Sequence, residues 1–95
     1  MVKVIWSPRA ASGLEEICDY IANDSEHYAR IFAQRIVAIV EKIPAFPYVG
    51  RIVPEYQKED LRERIFQNYR IVYRIKPEAI EIVVVVHSAR LLPDL

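Results

Sequence analysis

Residues 61–90 read LRERIFQNYRIVYRIKPEAIEIVVVVHSAR. β-Branched and aromatic residues dominate the stretch, and two breaks divide it into three strands. Asn68 beside Gln67 marks the first turn, because Asn tolerates the left-handed backbone that a short hairpin requires. Pro77, between Lys76 and Glu78, marks the second. Side chains of a strand alternate between faces, so Tyr69, Ile71, Tyr73 and Ile75 share one side, and Arg70, Val72 and Arg74 share the other. In the preceding strand Leu61 and Ile65 oppose Arg62 and Arg64. In the last strand Ile80, Ile82, Val84 and Val86 oppose Glu81, Val83, Val85 and His87. Aligning the apolar sides gathers Arg62, Arg64, Arg70, Arg74 and His87 on one surface of one sheet, a set suited to phosphate or carboxylate groups.

Working outward, residues 2–6 (VKVIW) form a short strand candidate, followed by Ser7 and Pro8, a hydroxyl N-cap with proline at the first helical position. Leu14, Ile17, Cys18 and Ile21 recur at helical spacing to about Ala22. Gly13 inside this helix costs roughly 1 kcal/mol relative to Ala, a cost that a close contact with another element would offset. Asn23, Asp24 and Ser25 break the chain and cap a second helix, whose stripe is Tyr28, Phe32, Ile36, Ile39, Val40 and Ile43. Pro44 and Pro47 end it. Two amphipathic helices joined by so short a break make an antiparallel hairpin. Residues 45–60 read as a connecting loop. The expected fold is α+β with element order β-α-α-β-β-β. A helical hairpin packs on one face of an antiparallel sheet, and the arginine-bearing face is left partly open.

A chain of 95 residues with 53% hydrophobic content makes one domain, residues 1–95, with a modest core. Thirteen basic and thirteen acidic side chains cancel, which argues against a protein that coats nucleic acid over its whole surface. Arginine outnumbers lysine, favouring planar bidentate contacts over diffuse attraction. The single cysteine, Cys18, excludes an internal disulfide and a cysteine-based metal cluster. The first residues lack a long apolar run, and the aliphatic run from Ile82 to Val86 is too short to span a bilayer, so a cytoplasmic protein with no membrane contact is expected.

Two histidines far apart, without paired carboxylates, do not make a metal site, and two glycines cannot build a phosphate-cradling loop. No metal or cofactor is expected. Ser7 and Ser88 lack a base and an orienting acid. His87 at the end of an aliphatic strand reads either as a locally bonded strand end or as a general acid or base. His27 lies on the exposed start of the second helix.

Four pieces of the chain, WSPRAASGLEEICDYI, FPYVGRIVPE, LRERIFQNYRIVYRI and IEIVVVVHSAR, together resemble the RelE/ParE superfamily of small toxins from type II toxin–antitoxin modules. The resemblance spans nearly the whole chain. It implies a toxin neutralised by a cognate antitoxin in a hetero-oligomer. RelE-like members cut mRNA in the ribosomal A site, and ParE-like members inhibit DNA gyrase without cutting RNA. As a nuclease, the chain would use His87 as acid or base with Arg62, Arg64 and Arg90 stabilising phosphodiester charge. As a binder, it would use Arg51, Arg62, Arg64, Arg70, Arg74 and Arg90 for anionic or target contacts. The usual RelE-like tyrosine near the C-terminus is missing, since LLPDL follows Arg90, and the chain is neutral rather than strongly basic. The ending VVVVHSARLL is closer to the ParE-like pattern, which slightly favours a gyrase inhibitor. The ribosome-dependent nuclease and an inactive family member are the alternatives.

Overall fold

The structure is a computed structural model that describes residues 2–95. Strand β1 (Lys3–Trp6) leads into helices α1 (Pro8–Ala22) and α2 (Glu26–Lys42). Two single-turn 3₁₀ segments, Ile43–Ala45 and Pro47–Val49, connect α2 to β2 (Arg51–Ile52). Strands β3 (Leu61–Phe66), β4 (Tyr69–Ile75) and β5 (Ala79–His87) complete one five-stranded sheet in the order β1-β5-β4-β3-β2. No helix among the described residues is long and apolar enough to cross a membrane.

The helical starts follow from the sequence. The Ser7 hydroxyl accepts the Ala10 N–H with Pro8 in the first turn, and the Ser25 hydroxyl accepts the Tyr28 N–H. Helix α2 buries Ala29, Phe32, Ile36 and Val40, a stripe spaced by three or four residues that presses on the sheet. Gly13 brings α1 down onto β5. A Cβ at this position would lie 2.6 Å from the Val85 carbonyl oxygen, so the close contact that offsets the glycine is with backbone.

The α+β architecture, with a helical hairpin on one sheet face, matches the sequence expectation, and two features are added. Within residues 45–60, Arg51 and Ile52 pair with β3 as an edge strand. Strand β1 runs parallel to β5, so the sheet is mixed. The chain crosses by the helices to the far edge and winds back through three antiparallel pairings until β5 lies beside β1. In the first hairpin the left-handed residue is Gln67, at φ 53°, and not Asn68.

The assignment of side chains to faces needs correction. Val72 pairs with Val84 and Tyr73 pairs with Ile82, which leaves Val83 as an extra residue in β5. A one-residue bulge inverts the alternation beyond it. Ile80, Ile82 and Val85 are therefore buried with the helices, whereas Val84 joins Val53, Leu61 and Val72 in a second cluster, with Val86 packed against it. His87 falls opposite Tyr69, on the helix side. In β3, Arg62 pairs with Tyr73 and Arg64 with Ile71, so these arginines also share the helix-side face. Arg70 and Arg74 lie on the other face with Leu61 and Val72. The single surface of Arg62, Arg64, Arg70, Arg74 and His87 does not exist. Nor is the second face bare, because Tyr56 from the loop and Leu92 and Leu95 from the last residues pack over its apolar cluster.

Candidate functional site

The second face closes around an ionic cluster. Buried Arg70 donates from Nε to Glu63 at 2.7 Å, and from Nη1 and Nη2 to the two Glu55 oxygens at 2.7 and 2.8 Å. The Glu63 carboxylate, fully buried, also accepts from Arg51 Nε. Paired charges with this bidentate geometry offset the cost of desolvation. The Arg70 hydrogen bonds hold the Glu55 carboxyl down at about 2. Arg74 lies 3.8 Å from Asp60, and Glu81, though opposite it in register, pairs with Lys76 at 3.2 Å. Arg70 is thus a clamp on the loop, closed to any outside anion, and Arg51 shares in it with a largely exposed side chain.

The helix-side face carries two separate groups. The first is a shelf at the β2–β3 edge. Arg62 donates from Nε to the Glu59 carbonyl at 2.8 Å, and from Nη1 to the Tyr48 and Gly50 carbonyls at 3.2 and 3.1 Å. Its guanidinium carbon sits 5.0 Å from the centre of the Tyr48 ring. Beside it, the half-buried Arg64 side chain makes no hydrogen bond or ion pair among the described residues. Tyr73 donates its hydroxyl to the Pro47 carbonyl at 2.6 Å, and burial raises its pKa. Gly50 has no room for a Cβ, which would collide with that hydroxyl and approach the Glu63 carbonyl at 2.9 Å.

The second group lines a cleft of about 960 Å³ between α1 and the segment after β5. Arg9, Ser12 and Glu16 come from α1, Tyr69 from β4, and His87 and Arg90 from the end of β5 and beyond. His87 Nδ1 accepts the Ala89 N–H at 3.1 Å, so in the neutral ring Nε2 carries the proton. The Tyr69 ring meets the imidazole edge-on at 5.3 Å. Arg9 reaches across to donate to the Asp94 carbonyl at 3.0 Å.

Two strand spacings, roughly 10 Å, separate β3 from β5. Ile71 and Tyr73, across from Arg64 and Arg62, fill that interval and are fully buried. Phe32 caps the next row, 5.8 Å from Phe66 and 5.0 Å from Tyr69. Arg62 and Arg64 therefore stand apart from His87 and Arg90, with packed side chains between them. Arg9, Ser12 and Glu16 escape a sequence reading because their spacing is that of any solvated helix face. Only the docking of α1 on β5 makes them a wall of the cleft.

The comparisons with known proteins agree with this fold. Residues 4–92 match the family described as "ParE toxin of type II toxin-antitoxin system, parDE". Over 91 residues the chain is 30% identical to a protein named Toxin RelE2 from Caulobacter vibrioides, covering 96% of this chain and all of that protein. The structure of a chromosomal ParDE toxin–antitoxin system from P. aeruginosa superposes with a TM-score of 0.75 at 22% identity, over 92% of this chain and 96% of that one. A match over almost the entire length, carried by sequence and mirrored in the fold, places the chain in the ParE toxin family of the RelE/ParE superfamily: it is the toxin half of a type II toxin–antitoxin pair, with a cognate antitoxin as its partner.

Proposed function

We propose that this toxin acts by binding, as an inhibitor of DNA gyrase, and not by cutting mRNA. What supports the reading is the separation of Arg62 and Arg64 from His87 and Arg90 by fully buried Ile71 and Tyr73. In-line cleavage needs a proton-transfer group and charge-stabilising donors gathered within hydrogen-bond reach of one phosphodiester. Arg62 is further committed to three backbone carbonyls. The exposed His87 and Arg90, with Arg9 across the cleft, form the surface proposed to meet the target. Arg51 and Arg74, partly paired, are secondary candidates for such contacts.

A ribosome-dependent nuclease is the second reading, favoured by His87, Tyr69 and Arg90 lining one cleft. One pair of assays decides between them. Purified toxin is added to a gyrase supercoiling reaction and to a translation extract with a defined mRNA. Loss of supercoiling with intact mRNA supports the binder. Cleaved mRNA with normal supercoiling, abolished by His87→Gln, establishes the nuclease. Harmless expression of soluble protein without antitoxin indicates an inactive member.

A further inference from the structure

The shelf at the β2–β3 edge presents large apolar side chains that the fold does not bury. Phe46, Tyr48 and Val49 are 71%, 61% and 65% exposed, and Ile52 beside Arg62 is 39% exposed. These residues are not carried on a loose loop. The sheet holds the turn by three hydrogen bonds, from Tyr73 to Pro47, and from Arg62 to Tyr48 and to Gly50. Gly50 lets the turn seat directly on the Tyr73 hydroxyl and the Glu63 carbonyl. A clustered apolar surface held rigid in this way costs little further ordering when a partner binds.

Its electrostatics select the partner. The overall charge of the chain is zero, yet the charged side chains that β3 contributes to this face are Arg62 and Arg64. The one carboxylate of β3, Glu63, points to the other face and is closed off by Arg70 and Arg51. Arg64 is half-buried and has no counter-ion among the described residues, so an arriving carboxylate would meet an unpaired guanidinium. Apolar anchors beside unopposed arginines match a segment that alternates aliphatic or aromatic residues with Asp and Glu.

We propose that the shelf formed by Phe46, Tyr48, Val49, Ile52 and Arg64 docks an acidic segment of the cognate antitoxin, its apolar residues on the exposed cluster and a carboxylate on Arg64. This surface is distinct from the His87–Arg90 cleft, and the proposal does not depend on which target the cleft meets.

The test is titration calorimetry of the purified toxin with the purified antitoxin encoded beside it, using two independent variants. Phe46→Ser combined with Val49→Ser, and separately Arg64→Glu, should each weaken binding at least about tenfold. The Arg64→Glu loss should shrink as salt is raised, because screening removes the repulsion it introduces. Ile65→Ser, at a 47% exposed apolar residue on the opposite face, is the control and should leave affinity within twofold. Melting curves establish that each variant is folded, and if the double variant is not, Arg64→Glu decides alone. Folded shelf variants that bind the antitoxin within twofold of the original chain overturn the proposal. So does normal antitoxin binding with lost toxicity, which would assign the shelf to the target instead.

Discussion

The Ser7 hydroxyl donates to the carbonyl oxygen of Val83 at 2.8 Å while it accepts the Ala10 N–H at 3.0 Å. The Ser7 N–H in turn donates to the Ile82 carbonyl at 2.9 Å. One residue thus caps α1 and holds the extra residue of β5. Because that bulge decides which way Val85 and His87 face, the start of the first helix governs the geometry of the cleft at the other end of the strand.

Replacing Ser7 by Ala should remove a cap worth about 1 kcal/mol and leave the Val83 carbonyl without its partner, for a combined loss of about 2–3 kcal/mol in urea unfolding. Ser7→Thr should retain most of the stability. The amide resonances of Val85 and His87 should shift in the Ala variant. A loss below about 0.5 kcal/mol would show that the hydroxyl does not hold the bulge.

Gly13→Ala sets two effects of opposite sign against each other. Helix propensity alone favours Ala by about 1 kcal/mol. The added Cβ would sit 2.6 Å from the Val85 carbonyl oxygen, and overpacking against backbone typically costs about 1–3 kcal/mol. The net change in a denaturant titration should be destabilising. A stabilised variant would mean that α1 can lift from β5 freely.

Arg70→Ala should behave as a folding variant rather than a binding variant. It leaves the buried Glu63 carboxylate with Arg51 alone, and breaking such a pair costs about 3 kcal/mol or more. The same cluster predicts a pH dependence. Glu55 has a folded-state pKa lowered from 4.5 to about 2, chiefly by its hydrogen bonds to Arg70. A depressed carboxylate stabilises the fold fully above its unfolded pKa, and that contribution is lost as pH falls through the folded one. Stability should therefore decline between about pH 4.5 and 2, and Glu55→Gln should flatten this part of the profile. An unchanged slope in Glu55→Gln would remove the carboxylate from the account.

Arg62 and the cleft residues should separate in a comparison of melting temperature with growth arrest. Arg62→Ala leaves three carbonyls without their donor and should lower stability by about 2 kcal/mol. His87→Ala and Arg90→Ala, at exposed positions, should change stability by less than about 0.5 kcal/mol yet reduce toxicity. Full toxicity in a folded His87→Ala, Arg90→Ala double variant would rule out the cleft as the target-facing surface.

Much of this protein is legible from its sequence because the signals are local. Ser7 with Pro8, and Ser25 before the stripe of Phe32, Ile36 and Val40, specify two helices through hydrogen bonds and spacing contained within each segment. Gln67–Asn68 and Pro77 divide the strands, and the family pattern runs along the same elements. Alternation in β4 correctly buries Ile71 and Tyr73 under the helices. The faces of β3 and of the end of β5 depend instead on the tertiary structure. Counting by twos holds only for an unbroken strand, and the break at Val83 is stabilised by Ser7, 76 residues away. Leu61 and Ile65 look like core positions for the helices, but antiparallel pairing with β4 puts Arg62 and Arg64 there and sends Leu61 beneath the loop and C-terminal segment. Whether an arginine is a ligand or a clamp is likewise decided by distant partners. Arg70 is closed by Glu55 and Glu63, whereas the side chain of Arg64, six residues earlier and similar in sequence context, has no such partner among the described residues.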